Sequence, residues 1–299
     1  MFKKKDKKDK GLYLSDQQPL NTVGKIMLGI SYLILIVWAI IVIWPLAVMV
    51  ISSFNGAQKQ FISLSGGYEF SFTHFKYLFE ETLFFTWVKN TIVIATLTAL
   101  FTLLIVSFTG YAYSRYRFKG KKLSLMGIML IQTIPSFAGI AAFYAMHSII
   151  SGVIPIFSRT AMLILIYSGG GIAGNTFILK GYIDSVSTEL DDAAKIDGCS
   201  NFEVYRLIIM PIAKPMLAII ALWSFIGPFM DYMLPKILLT SPERYTLATG
   251  LFTLTNNIRN MHAPAFAAGG LLTAIPIVIL FIALQNQLVS GLSSGSVKG

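Results

Sequence analysis

The sequence predicts an all-α membrane protein that crosses the bilayer six times, with both termini and a pair of short helices between spans four and five on the cytoplasmic side. Three observations carry that prediction. Only 13% of the 299 residues are charged while 55% are hydrophobic, against about a quarter charged in soluble domains. Apolar runs without charge recur at the roughly 20 residues a helix needs to cross about 30 Å of hydrocarbon. The basic residues gather in alternate connecting segments, which orients the spans.

Taken in order, residues 1–25 form a basic tail containing Lys3, Lys4, Lys5, Lys7, Lys8 and Lys10. The charge-free run that follows, from Ile26 to Gln58, is too long for a signal-peptide core of about 7 to 15 residues, so it reads as a retained first span within Ile26–Phe54. Further spans lie within Asn90–Ser114, Leu123–Ser151, Thr160–Leu179 and Phe266–Val289. Charge marks their limits, because a charged side chain at the bilayer centre costs at least about 2.5 to 3.5 kcal/mol. A weaker span around Leu207–Leu234 has Lys214 near its start and Asp231 near its end, so both ends must snorkel or sit at the interface. The transmembrane domain thus covers 26–289, and a short cytoplasmic tail covers 290–299.

With the N-terminus inside, the inner segments hold 17 of the 24 Lys and Arg and the outer segments 7. The positive-inside rule favours that orientation over its reverse. It also accounts for the net charge of +10, which on a soluble chain would raise nucleic acid as a partner; none is expected here. The single cysteine, Cys199, forms no disulfide within the chain. His74, His147 and His262 have no ligand-like spacing, so no metal site is expected. Pro45, Pro135, Pro228, Pro276 and the run Gly169-Gly170-Gly171 with Gly174 lie inside spans. Close helix packing, including a Gly170/Gly174 small-residue pair, is the favoured reading over a broken transport path.

One loop departs from the basic pattern. Asp184 to Glu203 holds six of the fourteen acidic residues. Leu190, Ala193, Ala194 and Asp197 follow helical i, i+3, i+4, i+7 spacing and put small residues on one face. Thr188 with Asp191 has the spacing of a capping box, and Gly198 stands where a left-handed residue ends the helix. Ser200 with Glu203 starts a second short helix, and Pro211 stands where the chain enters the next span. An acidic helix suits an anionic leaflet poorly. The paired helices therefore read as a knob that docks in a groove on a soluble partner.

The stretch from Glu189 through Asp192, Ala193, Ala194, Asp197 and Gly198, continuing through Tyr205 and Arg206 to Pro211, resembles the EAA loop of binding-protein-dependent ABC importer permeases of the carbohydrate group, maltose and maltodextrin type. Leu179-Lys180-Gly181-Tyr182, Pro215, Asp231-Tyr232 with Pro235, Tyr245-Thr246-Leu247 with Gly250, and the tail from Gly291 to Gly299 extend the resemblance over most of the chain. Asp192 stands where the family usually has Glu and Cys199 where it usually has Ala; both changes are conservative. The resemblance implies a pore subunit of the bacterial cytoplasmic membrane that is not itself an enzyme and binds no cofactor. It implies two separate ATPase subunits holding ATP and Mg, a second permease subunit, an extracytoplasmic solute-binding protein and a carbohydrate substrate. ATP-driven closure would pass through residues 189–206, within a loop of about 184–211, into spans four and five. The tail over 290–299 is implied as a second contact with the ATPases, although its composition alone reads as a flexible Gly/Ser end.

The chain has no G-x-x-x-x-G-K-[ST] of its own: Phe118-Lys119-Gly120-Lys121-Lys122 lacks the first glycine and the Ser/Thr. Candidate groups along a sugar path are Asn90, Gln132, Tyr144, Asn175, Asp231 and Tyr232, since sugar sites pair aromatic faces with polar groups. Asp231 equally suits an interface marker, and interhelical hydrogen bonding suits the others. An intramembrane enzyme finds no paired carboxylates or H-E-x-x-H here. An ion-gradient-driven secondary transporter is the stronger rival, but it would place ionisable residues within several helices.

Overall fold

The computed structural model describes residues 22–62, 67–133 and 139–295; the basic tail before Thr22, Pro135 and the last four residues lie outside them. The chain divides into two units at Met49 and Val50. Helix α1 (Thr22–Ser53) carries the first unit and runs into the second. Ile34, Leu35, Ile36 and Val37, consecutive residues that point to four sides of α1, are all exposed. A helix apolar around its whole circumference suits a lipid environment.

In the second unit the described residues form α2 (Thr73–Glu80), α3 (Phe84–Arg115), α4 (Lys121–Gln132), α5 (Ile140–Val153), α6 (Arg159–Asp184), α7 (Glu189–Ile196), α8 (Asn201–Met230), α9 (Met233–Leu238), α10 (Leu247–Thr253) and α11 (Ala263–Gly295). Among the described residues, α1, α3, α6, α8 and α11 are long and apolar enough to cross a membrane. The third predicted span, Leu123–Ser151, is not one long helix: its described residues form α4 and α5, each too short to cross alone. Pro135 and Gly139 stand between them in the sequence, and both residue types disfavour a helix interior.

Helix α3 is the packing centre of the second unit. It supplies Phe84, Trp87 and Ala95 to one apolar cluster, Ile94 to a second, and Val106 and Tyr111 to a third. Thr91, Ala95, Thr98, Ala99 and Thr102 are buried along its length; such small side chains let α6 and α8 approach closely. At Gly110 an added Cβ would meet the Leu179 side chain at 2.9 Å. The Gly170/Gly174 pair is a different matter. An added Cβ at Gly174 would lie 2.6 Å from Gln132 Nε2, but nothing lies within 4 Å of one at Gly170, so the two do not share a close approach.

Gly250 packs under a fixed indole. An added Cβ there would fall 2.1 Å from Trp87 Cδ2, and the ring is held because Trp87 Nε1 donates to the Pro242 carbonyl at 2.9 Å. Gly250→Ala therefore forces a shift of packed groups, an overpacking cost of about 1–3 kcal/mol. The expected result is thermal unfolding in detergent several degrees below that of the unaltered chain. An unchanged transition would mean that the indole yields freely.

Three expectations about the loop and its surroundings need correction. Thr188 makes no side-chain cap hydrogen bond, its backbone being right-handed helical where a capping residue is extended, and the Asp191 side chain turns inward to an arginine instead of back toward the helix start. The second short helix does not stop before the span: α8 runs unbroken from Asn201 to Met230, through a wide π-turn over Val204–Ile209, with Pro211 in the first turn of the α-helical part that follows. Proline has no N–H and its ring crowds the carbonyl four residues back, and the wide turn directly ahead of Pro211 relieves that crowding. This N-terminal extension also lengthens the span that looked weak. Finally, the expected tail from 290 is helical through Gly295 as a continuation of α11.

Candidate functional site

The site is built on the turn between α7 and α8. Helix α7 ends in a Schellman arrangement: Gly198 N–H donates to the Lys195 carbonyl at 3.0 Å and Cys199 N–H to that of Ala194 at 2.9 Å. Gly198 has φ +92°, a left-handed conformation that glycine adopts without steric cost. The following box closes as its sequence predicts. Ser200 Oγ accepts from Glu203 N–H at 3.3 Å, and Glu203 Oε2 accepts from Ser200 N–H at 2.7 Å.

The rest of the chain grips this turn from α3. Arg115, the last residue of α3, forms an ion pair with Asp191 of α7, Nε to Oδ2 at 2.5 Å, with only 8% and 7% of the two side chains exposed. Arg115 Nη2 also donates to the Val186 carbonyl at 3.1 Å. Ser114 Oγ donates to Asp184 Oδ1 at 2.6 Å, and Lys180 pairs with the same carboxylate. Tyr205 stacks on Phe108 with ring centroids 4.9 Å apart, and its hydroxyl donates to Ser107 Oγ at 2.9 Å.

This grip decides which residues face outward. Ala194 is buried against Val106, Leu179 and Ile183 in the chain's own core, so it belongs to the inner face and not to an outward small-residue face. Glu189, Asp192, Ala193, Asp197 and Gly198 are exposed, as are Arg206 and Pro211, while Tyr205 is half-buried. Sequence reasoning missed Ile196, which is 87% exposed at the tip of α7. It also missed Arg115 and the inward role of Asp191. The available signal was an arginine closing a span and two adjacent aspartates, only one of which can face out of a helix.

The sugar-path candidates do not converge. Asn90 Nδ2 donates to the carbonyls of Glu243 and Tyr245 at 2.9 and 3.0 Å, clamping a loop. Tyr144 lies under Arg159, 5.7 Å from ring centroid to guanidinium. Gln132 covers Gly174, and Asn175 lies beside Gly171 on α6. Tyr232 packs on Phe252 at 4.1 Å. Asp231 caps α9: its Oδ1 accepts from Met233 and Leu234 N–H at 2.9 and 3.3 Å, and its Oδ2 from the Tyr167 hydroxyl at 2.9 Å. Tyr167 and Asp231 line a cavity of about 730 Å³ whose other walls, from Phe143 to Leu234, are chiefly apolar.

Comparison with known proteins gives this arrangement a setting. Residues 105–294 match the family described as binding-protein-dependent transport system inner membrane component. The maltodextrin transport system permease protein MdxG of Bacillus subtilis is 43% identical over 269 residues, covering 90% of this chain and 95% of that protein. The galactooligosaccharides transport system permease protein GanQ of the same organism is 40% identical over 277 residues, covering 92% and 96%. In three dimensions the chain resembles a crystal structure of a bacterial ABC transporter involved in the import of alginate, with a TM-score of 0.75 at 19% identity, over 90% of this chain and 99% of that one.

Proposed function

The chain belongs to the family of binding-protein-dependent transport system inner membrane components, and from that premise we propose that it is one of two permease subunits of an ATP-driven oligosaccharide importer in a bacterial cytoplasmic membrane. The relatives named for maltodextrin and for galactooligosaccharides resemble it almost equally, which supports an oligosaccharide as the substrate class. Six crossings follow if α4 and α5 together make the third, with both termini and the α7–α8 turn in the cytoplasm. ATP and Mg belong to two partner ATPase subunits. A solute-binding protein delivers sugar to the opposite face.

The observation that carries this reading is the α7–α8 turn itself. It is anchored inward by a buried ion pair and an aromatic stack, and it presents Asp192, Ala193, Ile196, Asp197 and Gly198 outward. A rigidly seated, outward-facing turn is what a mechanical contact with another subunit requires, since a loosely held loop would absorb the movement it receives. The polar sugar-path candidates are mostly engaged within the chain, which supports a sugar path lined largely by the companion permease.

Co-expression with companion permease and ATPase subunits tests the proposal. ATPase is expected to co-purify with this chain in membranes, and deletion of residues 189–199 is expected to release it. Sugar uptake driven by an ion gradient in vesicles holding this chain alone would overturn the importer reading in favour of secondary transport.

A further inference from the structure

Helix α3 touches functional segments at both of its ends. At one end Ser107, Ser114 and Arg115 hold the α7–α8 turn and its approaches. Asp191 depends on that end alone: it is buried, its Oδ1 accepts no hydrogen bond among the described residues, and Arg115 is its ion-pair partner. At the other end Trp87 Nε1 donates to the Pro242 carbonyl and Asn90 to those of Glu243 and Tyr245, while Thr91 Oγ1 accepts from Leu247 N–H at 2.7 Å. Thr91 and Arg115 are separated by about 36 Å of helix at 1.5 Å per residue.

The helix between these ends is built to stay straight. Sharp kinks arise at proline, at glycine or serine pairs and at π-turns. Helices α1, α8 and α11 all contain proline and α8 contains a π-turn. Helix α6 contains five glycines, whereas α3 has no proline and one glycine, Gly110, which Leu179 packs against. A stiff element pinned at both ends moves as a unit.

We propose that α3 is a transmission rod, with Arg115 as the positioning residue that fixes Asp191 of α7 to one end and Trp87, Asn90 and Thr91 fixing segment 242–247 to the other. Movement of α7 then reaches the far face of the protein through α3, and not only along the chain through α6 and α8. This rests on the permease reading above, in which a partner ATPase moves α7.

The test uses the assembled transporter in proteoliposomes, with Cys199→Ser and Arg244→Cys providing one reporter thiol beside the segment that Asn90 clamps. The rate of labelling by a membrane-impermeant maleimide is compared in the nucleotide-free and the ATP, vanadate-trapped complexes. At least a threefold difference is expected with α3 intact. Arg115→Gln is expected to abolish that difference and raise the ATP hydrolysed per sugar imported, with Arg115→Lys restoring part of both. Asn90→Ala removes two of the four hydrogen bonds that hold the other end, away from the ATPase contact, and is expected to reduce the difference with the ATPases still bound; it decides the matter if Arg115→Gln does not assemble. A nucleotide response that is undiminished in Asn90→Ala, or that is absent from the intact complex although ATPase is bound and active, overturns the rod. Failure of ATPase to co-purify with the unaltered chain overturns the permease reading instead.

Discussion

Replacing Gly198 with alanine is expected to leave the protein inserted and assembled while cutting sugar-stimulated ATP turnover at least about fivefold. The reasoning separates backbone from side chain. Nothing lies within 4 Å of the position a Cβ would take at Gly198, so the substitution meets no steric obstacle. The φ of +92° is the obstacle, because the left-handed region costs an L-residue about 1–2 kcal/mol. That strain is relieved only if the turn opens and the angle between α7 and α8 changes. Gly127→Ala is the matched control: it too meets nothing within 4 Å, but at a right-handed position inside α4. Turnover in the assembled complex, measured with saturating binding protein and sugar, is the readout. Equal turnover in both variants would remove the turn from the coupling argument.

The second large effect is expected at Ile196. An isoleucine that is 87% exposed at the end of an acidic helix contributes nothing to the stability of this chain by itself. If a partner covers it, burial is worth about 1.5–3 kcal/mol, or roughly ten- to a hundredfold in affinity. Ile196→Glu adds the cost of desolvating a charge. The expected outcome is loss of ATPase during co-purification, with the thermal stability of the permease unchanged. Retention of ATPase at the unaltered ratio would show that the contact surface lies on the Asp192 and Ala193 side of the turn. The pair of results is informative together, since Gly198→Ala acts on the geometry of the turn and Ile196→Glu on adhesion.

Much of this arrangement is legible in the sequence because it rests on local rules. The spans follow from charge-free runs, the left-handed residue at 198 from glycine after a short amphipathic helix, and the Ser200/Glu203 box from spacing alone. What the sequence conceals depends on contacts across long separations. Thr188 and Asp191 have the spacing of a capping box, but Arg115, 76 positions before Asp191, outcompetes the backbone for that carboxylate. Ala194 fits a small-residue docking face by period, yet packing against α3 and α6 decides which side of α7 turns inward. Asp231 has the residue type of a sugar ligand, but its carboxylate begins the next helix and holds the Tyr167 hydroxyl. Pro211 stands at the entry to the span as its statistics suggest, but the π-turn ahead of it joins the preceding short helix to that span.

Helices α1 and α3 are each 32 residues long, but their sequences carry different amounts of instruction. Along the exposed stretch of α1, each position asks one question, whether the residue is apolar, and many answers serve. Along the buried stripe of α3, from Thr91 to Val106, each position also specifies a volume, because α6 and α8 lie against it. Helix α1 is thus addressed to the insertion machinery and the lipid, and α3 to the other helices of the same chain. Of two spans of equal length, one tells the protein where to be and the other what to become.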